Sequence, residues 1–235
     1  MSALICLTYD DALPVHRALV APELERCGLR GTFYAPAANG DLHAAVAAWR
    51  AVAAAGHELG NHTCWHPCRL RPGQAYRPTY QLNDYSRRRI RDEMLLANQV
   101  LALIDGQPVR TYAATCHDIA VGPDPGELFV EEMRELFPVV RAGHAEAASA
   151  GAIPFIAPAF SADRRTAADV IAAAEPMRHQ ADAWLVVLMH GVGEGTHNHF
   201  IAADEHARLI DWIAEQHDWL EGVTLLEAAR RRGVA

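Results

Sequence analysis

The stretch Ala3-Leu-Ile-Cys-Leu-Thr-Tyr-Asp-Asp11 is short, almost wholly apolar, and ends in two carboxylates. A continuous apolar run of this length reads as a strand buried on both faces, the kind a parallel sheet uses. Near the other end of the chain, Trp184-Leu-Val-Val-Leu-Met-His-Gly191 has the same form and ends in histidine. Between and around these two runs, strand and helix signals alternate.

Further strands are expected at residues 31–35, 57–60, 109–114, 139–142, 154–157 and 223–225. Helices are expected at 15–27, restarted at Pro22 and ended by Gly28, and at 42–55, 127–137, 166–181 and 203–217, with a last one through Arg232. Ser86 caps a strong helix in which Ile90, Met94, Ala97, Leu101 and Ile104 recur at helical spacing. This alternation predicts an α/β fold with a mainly parallel sheet covered by helices, either a barrel or an open sheet. The 235 residues, half of them apolar, suffice for one core, and a single domain over 1–235 is expected.

Composition excludes several roles. The net charge is -8 with no basic stripe, so no nucleic-acid partner is expected. Arg87-Arg88-Arg89 reads as a solvated helix face. No apolar stretch reaches the roughly 20 residues that span a bilayer, and the start has no basic leader region. Five cysteines, an odd number, do not suggest a disulfide framework, so a cytoplasmic location is expected. The sequence does not give an oligomeric state.

In parallel α/β folds, sites form at the carboxyl ends of strands. Three strand ends here carry Asp10-Asp11, then His62 and His66, then His190. Taken singly, each has a plainer reading: a turn or cap, a loop pair, a core histidine. Together they suggest an open metal site of one carboxylate and two imidazoles, with the second aspartate left free. His62 and His66 are expected on one helical turn.

At these residues the chain resembles the NodB-like polysaccharide deacetylases, carbohydrate esterase family 4. Leu7-Thr-Tyr-Asp-Asp11, Gly31-Thr-Phe-Tyr34, Gly56-His-Glu-Leu-Gly-Asn-His-Thr-Cys-Trp-His-Pro67 and Leu188-Met-His-Gly191 are similar to its motifs, in order. The resemblance implies a distorted (β/α)7 barrel and hydrolysis of an N-acetyl or sometimes an O-acetyl group. It implies Asp10 as base, Asp11, His62 and His66 as metal ligands, and His190 as acid. The metal implied is zinc, with Co2+, Ni2+, Fe2+ or Mn2+ as alternatives.

Two family motifs depart from the pattern. The third lacks its Arg-x-Pro, and Arg110 lies too early, so Arg141 is the candidate partner for Asp10. The tryptophan-bearing fourth motif is not visible between Gly143 and Ala162. A small acetylated sugar or related molecule is therefore the expected substrate, with no membrane partner.

Around the site, Trp65 is read as a stacking platform or as packing, and His197 and His199 as substrate contacts in a polar, mobile segment. Tyr76, Tyr80 and Tyr85, in the long functional loop 67–85, are candidates for the pocket wall. Cys64 and Cys68 are read as free thiols or as part of a mixed thiolate site, and His57 as structural. Two other functions compete: hydrolysis of a cyclic amide or ureide, and sugar binding without catalysis.

Overall fold

The computed structural model describes residues 2–73 and 77–234. Seven parallel strands follow one another in chain order: β1 (Ala3–Asp10), β2 (Gly31–Ala35), β3 (Glu58–Asn61), β4 (Tyr112–Ala113), β5 (Val140–His144), β6 (Ile156–Ser161) and β7 (Ala183–Met189). Pairing of β7 with β1, from Leu4↔Trp184 to Tyr9↔Met189, closes them into a barrel. An eighth parallel strand, β8 (Leu220–Gly222), lies along the first residues of β1, where β2 does not reach. The result is the expected (β/α)7 barrel, distorted at this seam.

Side-chain alternation along β1 sorts its residues. Ile5, Leu7 and Tyr9 pack with residues of the covering helices, while Leu4 and Cys6 pack with Val186 and Leu188. Asp10 continues the second set.

The helices are α1 (Ala21–Arg26), α2 (Gly40–Ala44), α3 (Val46–Ala54), α4 (Arg87–Asp105), α5 (Val130–Leu136), α6 (Ala167–Ala174), α7 (Ala203–Glu215) and α8 (Leu225–Arg232). In α4, Ser86 accepts the Arg89 N–H and the five periodic apolar residues are all buried. Elsewhere the expected bounds shift for local reasons. Pro22 has no N–H to give, and a wider turn, His16–Val20, precedes α1. The helix expected at 42–55 breaks at Ala45, and Asn39 caps its first half.

In the strand expected at 109–114 only two residues pair, because the Arg110 guanidinium takes the Leu59 carbonyl. Glu127–Leu128 pair with Ala120–Val121 instead of opening α5. The helix expected at 166–181 ends by Glu175, before Pro176, and continues as a tighter turn. Thr224 caps α8, so the last strand lies at Leu220–Gly222 and not at 223–225.

Candidate active site

Asp10 is the last residue of β1 and Arg141 lies in β5, one strand end facing the other across the barrel. The Arg141 Nη2 donates to both Asp10 oxygens, at 2.7 and 2.5 Å, and both residues are buried. Burial alone would raise the Asp10 carboxyl. The Arg141 guanidinium, with the charged His190, outweighs it and holds Asp10 well below the usual carboxylate range. Arg110 sits at the opposite end of the barrel, paired with Asp105.

Asp11 leaves the strand with φ 78°, which turns its carboxylate away from that of Asp10. The next two ligand candidates follow β3. Asn61 donates to Met94 and Asn98 on α4 and accepts the Thr63 N–H. Thr63 in turn accepts the His66 N–H through its hydroxyl. Thr63 and His66 have φ 62° and 51°, so a tight bend, not the expected helical turn, brings the two imidazoles to 4.8 Å. Among the described residues, six of the eight non-glycine residues with positive φ (Asp11, Ala12, Thr63, His66, Cys116 and His117) gather at this rim. Backbone strain concentrated in one place is characteristic of a functional site.

The His62 Nδ1–H donates to the Ala113 carbonyl at 2.8 Å. Its Nε2 therefore carries a lone pair, buried and without a hydrogen-bond partner among the described residues. That atom lies 3.8 Å from Asp10 and 3.8 Å from Asp11, and the His66 Nε2 lies 3.4 Å from Asp11. The donor atoms of Asp11, His62 and His66 all fall within 4.8 Å of one another. A carboxylate and two imidazoles, one with an orphaned lone pair, fit a divalent cation.

His190 follows β7. Asp163, two residues beyond β6, accepts both its backbone N–H at 3.0 Å and its Nδ1–H at 2.6 Å. Behind it, the buried His16 donates through Nε2 to the His190 carbonyl. Burial would lower the His190 imidazole, but the Asp163 hydrogen bond and the Asp10 charge raise it to about 9. Its Nε2 points at Asp10, 3.9 Å away. Asp163 is absent from the sequence reading, although it follows a strand end just as Asp10 and His190 do.

His197 stacks on His190 at 5.0 Å with its Nε2 3.8 Å from Asp11, and the His199 ring is 5.5 Å from that of His190. Their segment, expected to be mobile, is anchored by parallel pairing of Gly191–Val192 with Phe200–Ile201. Trp65 is 47% exposed, stacks on Tyr80, and shares a shallow hollow with Asp11, His66 and His197. Tyr85 is not a wall residue: it is buried and donates to Glu93 on α4. Tyr76 lies outside the described residues.

Cys64 is a buried free thiol, pushed up to about 12 by burial and Glu93. Cys68, in contrast, forms a disulfide with Cys116, which corrects the expectation of a chain without disulfides. Five cysteines leave the pairing undetermined in sequence, and only the fold brings residues 48 apart together.

These residues enclose a cavity of about 630 Å3 lined by Asp10, Asp11, His62, His66, His190 and the disulfide. A slightly larger one, about 700 Å3, opens at the opposite end beside His57, Glu58 and Arg110. There Glu58 is saturated by Thr32, Thr111 and Leu226, and the His57 Nδ1 accepts the Gly31 N–H. Chemistry rather than size therefore marks the carboxyl end as the site.

A parallel barrel with a carboxylate–imidazole cluster at its carboxyl rim places the candidate site where barrel enzymes carry theirs. The model of the polysaccharide deacetylase family matches residues 2–119, and the chain belongs to that family. No curated protein matches it.

Many solved structures share the fold, among them the following three. The D285S mutant of peptidoglycan deacetylase PdaC from Bacillus subtilis has a TM-score of 0.61 at 14% identity, covering 97% of this chain and 91% of that one. A family 4 acetyl xylan esterase from Clostridium thermocellum, in complex with a cobalt ion, has 0.60 at 20%, covering 99% and 93%. A mutant of BA3943, a CE4 family pseudoenzyme with restored enzymatic activity, has 0.56 at 15%, covering 96% and 66%.

Proposed function

We propose that this chain is a metal-dependent hydrolase that removes an acetyl group, foremost an N-acetyl group, from an amino sugar, an oligosaccharide or a related small molecule. One observation carries the reading. A carboxylate clamped by Arg141 and an imidazole clamped by Asp163 face each other at 3.9 Å beside the Asp11–His62–His66 group.

Asp10 accepts the proton of the attacking water. Arg141 keeps it charged and fixes both oxygens, at some expense of basicity. When held by Asp11, His62 and His66, a divalent ion, zinc foremost, supplies Lewis acidity toward the acetyl carbonyl and the water. An amine leaves poorly without a proton, and His190, charged at neutral pH, donates one from Nε2 while Asp163 holds the ring in place. The exposed Trp65 face offers a sugar-stacking surface, with His197 and His199 as polar contacts.

A cavity of about 630 Å3 suits a small ligand, which supports a short acetylated sugar. No described helix is long and apolar enough to cross a membrane. A cytoplasmic location belongs to this proposal, and the disulfide weighs against it, because such bonds persist mainly in oxidising compartments. Binding without turnover loses its motive once Arg141 stands against Asp10.

The test is acetate release from acetylated amino sugars and short chito-oligosaccharides, with zinc or cobalt added and a chelated control; cyclic amides join the panel. Metal-dependent acetate release from one member, abolished by Asp10→Asn and strongly reduced by Arg141→Ala, is expected. No acetate from metal-loaded protein, or turnover indifferent to Asp10→Asn, overturns the reading.

A further inference from the structure

His66 stands between two groups of ligand atoms. Its Nε2 faces Asp11, and its Nδ1 lies 3.7 Å from the Cys68 sulfur. One ligand atom from each of His66, Cys68 and Cys116 also falls within 4.8 Å of the others. The two sulfurs are held together by more than their own bond. Thr115 donates to the Pro67 carbonyl, the Arg69 N–H donates to Asp118 at 2.9 Å, and Arg71 pairs with Asp118. These contacts tie the loop after β3 to the loop after β4 on either side of the disulfide.

We propose that reduction of the Cys68–Cys116 disulfide creates a second cation site, formed by the two thiolates and Nδ1 of His66, selective for a thiophilic divalent ion such as zinc. The disulfide takes two electrons and two protons from a dithiol, which leaves as its own disulfide. On binding the ion, each cysteine releases its proton to solvent. The geometry is close to what zinc needs: bonds of 2.3 Å to sulfur and 2.0–2.1 Å to nitrogen put tetrahedral neighbours about 3.5 Å apart. The Cys68–His66 separation already has nearly that value.

The second site bears on the first. A neutral imidazole has one lone pair, so His66 serves the thiolates or the Asp11–His62 pair, not both. Reduction thus gives the molecule a way to move its cation out of the hydrolytic position. This consequence rests on the reading of Asp11, His62 and His66 as a cation group; the thiolate site itself does not.

Cobalt(II) titration of the whole chain tests the proposal, because a thiolate–cobalt charge-transfer band is readable without any activity. The band should be absent from oxidised protein and present after treatment with a phosphine reductant. It should persist in reduced Asp11→Ala, which keeps it independent of the hydrolytic reading, and disappear in the Cys68→Ser, Cys116→Ser double variant. In reduced wild-type protein, zinc should also protect Cys68 and Cys116 from alkylation while the half-exposed Cys27 still reacts. A reduced protein without the band, a band that survives the double variant, or unprotected Cys68 and Cys116 overturns the proposal.

Discussion

The proposed acid and base of the site are set apart by their partners. Asp10 meets a guanidinium and stays charged; His190 meets a carboxylate and keeps its proton up to about pH 9. Both are buried enough that their partners decide the protonation state. Asp163→Asn should therefore do two things. Loss of the carboxylate lowers the His190 pKa, so the alkaline limb of the rate profile moves toward the ordinary histidine range. Turnover also falls, by part of the roughly 100- to 10,000-fold that a positioned acid contributes. A pH profile of acetate release checks both, and an unmoved alkaline limb counts against His190 as the acid. The sequence offered a clue to Asp163, since the strand Ile156–Ser161 ends just before it. That clue was masked because Ala-Pro-Ala-Phe lacks the unbroken branched-aliphatic run of the other long strands.

The bend after β3 illustrates what a local pattern does and does not reveal. Histidines at four-residue spacing suggest a helical turn, yet Thr63 and His66 adopt left-handed backbone that spacing cannot signal. Their alignment comes instead from Asn61 and Thr63, whose side chains bond backbone groups within the bend. Gly60, one residue earlier, has a role that the sequence did not reveal. A Cβ built there would lie 2.3 Å from the Tyr34 ring, whose hydroxyl is fixed to Thr111 at 2.7 Å. The ring cannot retreat without breaking that bond. Gly60→Ala should cost about 1–3 kcal/mol, the usual penalty for overpacking, and displace the loop that carries His62 and His66. Urea unfolding and the cobalt affinity of the oxidised protein measure the two effects. A variant of native stability and affinity would mean that β2 and β3 have slack there.

The barrel as a whole was legible as alternation but not as closure. Apolar runs ending in Asp10 and His190 announced parallel strands, but only the register of β7 on β1, six residues deep, makes a barrel of them. Closure also decides where histidines are buried. His16, His62 and His117 lie at the carboxyl rim and His57 at the opposite end, and burial lowers each from 6.5 to about 4. In the unfolded chain these groups take protons near 6.5; in the folded one they resist until about 4. Over that window the unfolded state binds more protons, so stability falls as pH falls. His190 acts in the opposite sense: its raised value adds stability that is complete below 6.5 and is lost as pH rises through about 9. The chelated protein should therefore be most stable near neutrality and weaken steeply between pH 6.5 and 4, each excess proton costing about 1.4 kcal/mol per pH unit. Urea midpoints at pH 7, 5.5 and 4.5 measure the slope. Replacing His57, remote from the catalytic rim, by Gln should flatten it without touching the site. A midpoint that stays level from pH 7 to 4.5 would show that these imidazoles admit protons in the folded state, and that the barrel does not exclude water as its packing implies.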